Sequence, residues 1–138
     1  MILENRIKIS VGKRKDDVFL KRDFSAMGSE AQLTRALRQL VASGVIVRLG
    51  IGVYAKAKKS ALTGMPIPVR PVAVLAPDAL KKMGVAVFPS KLVQDYNAGR
   101  TTQLPVNEVV NTGRRRISRK LAFGKQEITY ENDFAIAT

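Results

Sequence analysis

Residues 29–54 read SEAQLTRALRQLVASGVIVRLGIGVY, a helical pattern that runs directly into a pattern of strands. Ser29 followed by Gln32 forms a capping-box pair, which predicts that a helix begins immediately after Ser29. The helix is expected to end at Gly44, because glycine readily adopts the left-handed conformation that closes helices. Residues at spacings of three and four form its predicted buried stripe: Leu33, Ala36, Leu37, Leu40 and Val41.

The segment that follows predicts a β-hairpin. Two runs rich in β-branched residues, 45–49 and 53–55, flank a turn that contains glycine. Alternation of side chains along a strand would place Arg48 on the same face as Ile46 and opposite Val47. The hairpin therefore exposes one basic residue close to its turn.

The elements upstream of the helix complete a recognisable order. Residues 1–10 predict a short amphipathic helix, and an apolar run at 18–20 precedes a helical turn that buries Phe24. Helix, short helix, capped helix and hairpin is the element order of a winged helix-turn-helix domain, in which the capped helix enters the major groove. We therefore predict an α+β fold whose residues 1–59 form such a DNA-binding domain.

A proline-rich segment at residues 60–71 is predicted to be an extended connector, because proline lacks a backbone N–H and restricts the residue before it. Residues 72–138 are expected to form a small basic α+β lobe. Its predicted elements are a helix at 77–83, strands at 85–88, 106–110, 117–123 and 126–130, a helical turn at 91–96 and a loop at 97–103.

Composition narrows the function. The 138 residues contain 24 Lys and Arg against 11 Asp and Glu, a formal net charge of +13, with no Cys and no His. Such an excess attracts polyanions, of which nucleic acid is the commonest large one in a cell. Without thiolate or imidazole, the usual nucleophiles, general bases and metal ligands are missing, so we expect no enzymatic activity, no metal and no cofactor. With no apolar run of about 18 residues and no signal-peptide pattern, we expect a cytoplasmic protein without membrane contact.

The polar side of the predicted helix has the composition of a DNA-reading surface. Arg pairs with guanine and Gln with adenine in the major groove, and residues 33–42 contain no acid that would repel phosphate. An alternative stays open, since Arg and Gln are also good helix formers on a solvated face. The candidate base-reading residues are Gln32, Arg35, Arg38 and Gln39, and the candidate phosphate anchors are Ser29, Thr34, Arg48, Lys56 and Lys58.

A second basic patch falls next to a predicted strand. Its members are Arg114, Arg115, Arg116, Arg119 and Lys120. Three interpretations remain open for it: a phosphate-binding edge, a surface for an acidic protein partner, or a solvated strand edge that resists aggregation.

The pattern RALxxL followed by GxIxRLxxGVY, which lies within residues 35–54, resembles the N-terminal winged-helix domain of AbiEi-like antitoxins from type IV (abortive-infection) toxin–antitoxin systems. The resemblance covers roughly residues 1–57 and extends more weakly to TGMPIP and RRISRKL further on. It implies a repressor that binds repeats in its own promoter and counteracts a neighbouring nucleotidyltransferase-like toxin. Arg35, Arg38 and Arg48 match the helix and wing positions of that family.

The function predicted from these features is that of a sequence-specific double-stranded DNA-binding regulator, an autorepressing antitoxin, with its oligomeric state left open. Two alternatives remain. One is a protein-interaction module whose basic C-terminal lobe docks on a toxin. The other is an RNA-binding protein, against which the aromatic content of 6% weighs, because single-strand binding modules stack bases on aromatic side chains.

Overall fold

The computed structural model describes most of the chain, namely residues 2–89, 98–99 and 109–132. The chain divides into two compact units, Met1–Pro71 and Val72–Thr138, and it is an α+β protein. The predicted helical turn at 91–96 and most of the predicted loop at 97–103 lie outside the described residues.

The first unit begins with helix α1, Leu3–Lys13. It continues past the predicted end at residue 10 because buried Val11 extends the apolar face that includes Ile7. Strand β1, Val18–Leu20, and a 3₁₀ segment, Lys21–Met27, follow. The N–H of Leu20 donates to Asp23 Oδ2 at 2.9 Å, which closes the start of the 3₁₀ segment. Phe24 is buried in this segment, as predicted.

Helix α2, Glu30–Ala42, confirms the predicted capping box. Ser29 Oγ accepts from the Gln32 N–H at 3.2 Å, and Gln32 Oε1 accepts from the Ser29 N–H at 2.9 Å. Gly44 has a φ of 80°, the left-handed conformation expected at the helix end. The predicted apolar stripe is also confirmed, since four of its members are buried and Val41 packs against them partly buried.

Strands β2, Ile46–Gly50, and β3, Val53–Lys59, form the predicted hairpin. β1 pairs with the other edge of β3, so the antiparallel sheet has the order β1–β3–β2. Ile46 packs into the core formed with α1 and α2, whereas Arg48 is exposed further along the strand. Arg48 pairs directly with Tyr54, which belongs to that same core, so the face of the sheet assigned to Arg48 agrees with the prediction.

A short strand, β4, Pro66–Pro68, lies within the stretch predicted as a connector and pairs with the end of β3. Proline is tolerated there because an edge strand leaves some N–H positions outside the ladder. Arg70 Nε also donates to Asp17 Oδ2 at 2.8 Å, both residues belonging to this unit. Residues 66–70 therefore form part of the first unit, and they also connect it to the second unit.

The second unit begins with helix α3, Val72–Lys82, which starts five residues before the predicted helix. The prediction was wrong because it placed Pro77 in the first turn, whereas Pro77 lies in the middle of the helix. An apolar stripe with helical spacing outweighs the lost backbone hydrogen bond, and its members are all buried: Val72, Leu75, Ala76, Ala79 and Leu80. Gly84, with a φ of 83°, follows the helix as predicted.

Short strands complete the second unit: β5 at Val109–Asn111, β6 at Ala122–Phe123, β7 at Gln126–Glu127 and β8 at Thr129–Glu131. β5 and β8 pair in parallel, and β6 and β7 form a hairpin. The predicted strand at 85–88 reduces to a single bridge from Phe88 to Asn111, so that prediction was wrong for most of its length. The strand predicted at 117–123 forms only at its last two residues, so that prediction was wrong for most of its length. Residues 117–121 are irregular, and the Arg119 carbonyl accepts a side-chain hydrogen bond from the Tyr130 hydroxyl instead of joining a strand ladder.

Candidate nucleic-acid interface

One side of α2 is exposed and carries the two predicted base-reading arginines. Arg35, Arg38 and Gln39 are exposed on it, together with Ala31 and Ala42, whereas the opposite side is buried. Because residues three and four apart share a helix face, these side chains form one continuous stripe. The guanidinium groups of Arg35 and Arg38 have no ion-pair or hydrogen-bond partner within the described residues, so both are available to an external anion.

Two of the predicted contact residues also cap α2. A Gln side chain that reads adenine uses its amide oxygen as an acceptor and its amide nitrogen as a donor. In this structure the Gln32 oxygen already accepts the Ser29 N–H at 2.9 Å. A base contact by Gln32 would therefore compete with the capping-box hydrogen bond from the Ser29 N–H. Ser29 uses its Oγ only as an acceptor within the box, so its hydroxyl proton can still be donated to a phosphate.

Thr34 is held by the helix itself. Its hydroxyl donates to the Glu30 carbonyl at 2.9 Å, and the side chain is half-buried. The proton that would be offered to a phosphate is thus already used within α2. The structure does not bring Thr34 onto the exposed stripe with Arg35.

The hairpin turn lies next to the beginning of α2, and Lys21 connects the two. The Lys21 N–H donates to the Gly52 carbonyl at 2.9 Å, while its Nζ donates to Glu30 Oε1 at 3.1 Å. Arg48 is exposed near the same turn, where its Nε donates to the Gly50 carbonyl at 3.2 Å. The turn, Lys21 and the first turn of α2 consequently form one continuous surface.

Ile51 is a residue of this surface that the sequence analysis missed. It occupies the tip of the hairpin and is 78% exposed. Proteins that widen or kink a minor groove often insert such an apolar side chain between base steps. The signal in the sequence is an isoleucine standing alone between Gly50 and Gly52, where a polar turn residue is usual.

The two predicted lysine anchors on β3 differ. Lys56 is half-buried, and its Nζ donates to the backbone carbonyl of Arg14, so it ties β3 to the end of α1. Lys58 is exposed and faces Ile67 in the register with β4. Lys58 is therefore the freer of the two to meet a phosphate directly.

The second basic patch lies on an irregular segment of the second unit, and all five of its members are exposed. Asn132 fixes the start of the segment, because its Nδ2 lies 2.8 Å from the Gly113 carbonyl and 2.9 Å from the Arg115 carbonyl. Thr112, itself 2% exposed, donates its hydroxyl to the same Arg115 carbonyl at 2.6 Å. Since residues 112–121 form no strand, a solvated strand edge does not describe this patch. The phosphate and acidic-partner interpretations both remain open.

A hydrogen bond from Tyr130 holds the end of the basic segment. The Tyr130 hydroxyl donates to the Arg119 carbonyl at 2.6 Å. Burial raises the pKa of the Tyr130 phenol above its ordinary value of 10.0, although the nearby Arg119 charge acts to lower it. The phenol therefore stays protonated, and able to donate this hydrogen bond, at neutral pH.

Two further properties bear on function. Within the described ranges, no three His, Cys, Asp or Glu residues are grouped so that they could hold a metal ion. None of the helices in that part of the chain is both long and apolar enough to cross a bilayer.

Comparison with known protein families assigns this chain to one of them. Residues 3–135 match DUF6088, a family of unknown function. The chain belongs to this family. Because the match extends over both compact units, the family is defined by the two together and not by the first unit alone. No curated protein and no solved structure matches the chain. The resemblance to AbiEi-like antitoxins thus rests on sequence patterns alone, chiefly on that of the first unit.

Proposed function

We propose that this chain is a sequence-specific double-stranded DNA-binding regulator and that its first unit is a winged helix-turn-helix domain. The observation that carries the proposal is the exposed Arg-rich stripe of α2, joined through Lys21 to the hairpin turn. The order of elements, α1, β1, 3₁₀ segment, α2, β2 and β3, supports it, as does the antiparallel sheet order β1–β3–β2. In such domains the last helix enters the major groove and the hairpin contacts the DNA beside it.

The dimensions of α2 suit this role. Its 13 residues extend about 20 Å, and the small side chains of Ala31 and Ala42 permit close approach to the base edges. Arg35, Arg38 and Gln39 would read bases. Ser29, Arg48 and Lys58 would contact phosphates, with Ile51 at the edge of the minor groove. Gln32, Thr34 and Lys56 would support this surface from within the protein, because their polar atoms are engaged there.

Selection from a pool of randomised duplexes tests the proposal directly. We expect a preferred sequence to be enriched, and Arg35→Ala or Arg38→Ala to weaken binding to it by about 1–3 kcal/mol, or roughly 5- to 150-fold. The same variants should change binding to random duplexes much less. Lys8→Ala is the matched control, since Lys8 is an exposed cation on α1 that is not on the α2 stripe. No enriched sequence, or wild-type affinity in both arginine variants, would refute the proposal.

The resemblance to AbiEi-like antitoxins extends the proposal to a biological setting. It suggests that the preferred duplex occurs as repeats in the promoter of the chain's own operon, in the cytoplasm, and that a neighbouring nucleotidyltransferase-like toxin is counteracted. Co-expression with the product of the adjacent gene tests this extension. Co-purification and rescue of growth are expected, and failure of both contradicts the antitoxin role without affecting the DNA-binding one.

A specific observation favours a second candidate role, protein docking by the second unit. The backbone of the basic segment at 114–120 is held at its start by Asn132 and Thr112 and near its end by Tyr130, so the chain that carries the charges is preordered. A preordered surface loses less entropy when it binds an acidic partner. Substituting glutamine for the five basic residues should abolish co-purification with the toxin while leaving selection of duplex DNA unchanged. Competition between duplex DNA and structured RNA at physiological salt separates both roles from RNA binding.

A further inference from the structure

A basic cleft lies on α1, away from the residues to which we assigned base reading. It is shallow and largely open to solvent, with a volume of about 550 Å³. None of the residues that line it is acidic, and they comprise three cations, a hydroxyl and two apolar side chains: Arg6, Ile9, Ser10, Lys13, Arg14 and Met27. A site with this lining favours an anion that also carries an apolar part.

One of the three cations is held in position by the fold. The Arg14 guanidinium carbon lies 5.1 Å from the centroid of the buried Phe24 ring, a cation–π contact. Its Nε also donates to Ser10 Oγ at 3.4 Å. The Lys56 ammonium donates to the carbonyl of Arg14 and adds a fourth positive charge beside the cleft. Preordering of this kind lowers the entropy lost when an anion binds.

The position of the cleft relates it to α2. Met27 ends the 3₁₀ segment and is separated from Ser29, the N-cap of α2, by Gly28 alone. The cleft therefore adjoins the N-terminal end of α2. When a recognition helix lies in the major groove, its N-terminal residues contact base edges and the element before it crosses the phosphate backbone.

We propose that this cleft binds phosphodiester groups of the DNA strand that borders the groove entered by α2. Arg6, Lys13 and Arg14 supply the charge, and the Ser10 hydroxyl donates a hydrogen bond to a phosphate oxygen. Ile9, which is 44% exposed, contacts the neighbouring deoxyribose. The site rests on the proposed DNA-binding function and adds to it a second set of phosphate contacts on an element that the sequence analysis did not assign to DNA. Such contacts fix the register of the protein on the duplex but carry no sequence information.

The test compares Arg6→Gln/Lys13→Gln with Lys8→Gln as a function of salt, using fluorescence anisotropy with the selected duplex and a random one. All three side chains are exposed on α1, but Lys8 does not line the cleft. Each phosphate contact contributes about 0.9 to the slope of log K against log salt, so losing two should make the slope shallower by about 1.8. Over a fourfold rise in salt the double variant should then lose about 12-fold less affinity than wild type. The effect should be equal on both duplexes, and Lys8→Gln should keep the wild-type slope.

Three results separate the outcomes. If wild-type protein binds duplex DNA and the double variant has the same slope of log K against log salt as Lys8→Gln, the proposed phosphate site in the cleft is wrong. The proposed DNA-binding function is unaffected by that result. A wild-type protein that binds no duplex overturns the proposed function, and the cleft with it. Amide chemical shifts of wild-type protein give a reading that is independent of any variant. Ser10 and Lys13 should shift on addition of the random duplex, and unchanged signals at both positions in DNA-bound protein overturn the cleft.

Discussion

Substituting Gln32 distinguishes a residue that caps α2 from one that reads DNA. Gln32→Ala removes the hydrogen bond from the Ser29 N–H to Gln32 Oε1, which is 2.9 Å long. A neutral hydrogen bond contributes about 0.5–1.5 kcal/mol net to stability. Because Ser29 is exposed, its N–H can form a hydrogen bond with water in the variant. We therefore expect a loss of stability in the lower half of that range, about 0.5–1 kcal/mol.

Gln32→Glu is the matched variant. Its carboxylate accepts the same N–H, and a negative charge in the first turn of a helix gains about 0.3–1 kcal/mol from the helix dipole. Glu30 lies two positions away and does not face residue 32 on the helix, so it offsets little of this gain. We therefore expect a free energy of unfolding equal to that of wild type or up to about 1 kcal/mol higher. The added charge should also weaken binding to every duplex about equally, because it repels phosphate.

Urea unfolding followed by circular dichroism measures the stabilities, and anisotropy with the selected and random duplexes measures the affinities. We expect Gln32→Ala to be less stable than Gln32→Glu and to bind the selected duplex within about twofold of wild type. The reasoning fails if Gln32→Ala keeps wild-type stability but loses about 1–3 kcal/mol of binding on the selected duplex alone. That result would return Gln32 to base reading.

Three further predictions concern the scaffold. Gly64→Ala should lower the free energy of unfolding by about 1–2 kcal/mol, because Gly64 has a left-handed φ of 72°. Gly44→Ala should lower it further, because the new Cβ would also lie 3.0 Å from Pro66 Cγ. Urea unfolding of the two variants measures the difference, and equal losses of stability contradict it. Tyr130→Phe should cost about 1 kcal/mol below pH 10 by removing the hydroxyl's hydrogen bond. That difference should shrink as pH rises through the raised phenol pKa, since the neutral phenol stabilises the folded state only until it ionises; unfolding at about pH 8 to 11 measures this, and a constant difference argues against it. Asn132→Ala should speed amide exchange at residues 113–116, and unchanged exchange would show that Thr112 alone holds that segment.

The parts of the fold that the sequence predicted well are governed by local signals. The capping box at Ser29, the apolar stripe of α2 and the end at Gly44 each depend on residues within a few positions of one another. The start of α3 was missed because Pro77 is a strong local signal, which burial of the surrounding stripe outweighs. The extents of the strands in the second unit were predicted least well, since the length of a ladder depends on a distant partner that the segment itself does not specify.

The candidate site divides in the same way. The sequence correctly predicted which side of α2 is exposed and that Arg48 is exposed on the hairpin. The capping-box pattern already indicated that Gln32 is engaged at the start of α2, but nothing in the sequence indicated that Lys56 is engaged within the protein. The partner of Lys56 is the carbonyl of Arg14, 42 positions away, and such a contact exists only once the chain is folded. The cleft on α1 was missed for the same reason, because it combines a helix with the end of a separate segment.

Under the proposed function, the narrowness of the exposed stripe on α2 would limit how much of a DNA sequence one chain can read. From Arg35 to Gln39 the helix advances about 6 Å, so the side chains to which we assign base reading would reach roughly three base pairs. A three-base-pair word recurs by chance about once in every 64 positions, while a genome offers about a million or more competing sites. Recognition of a unique site would therefore require several chains bound to neighbouring copies of the three-base-pair sequence. The spacing between those copies would then contribute to specificity.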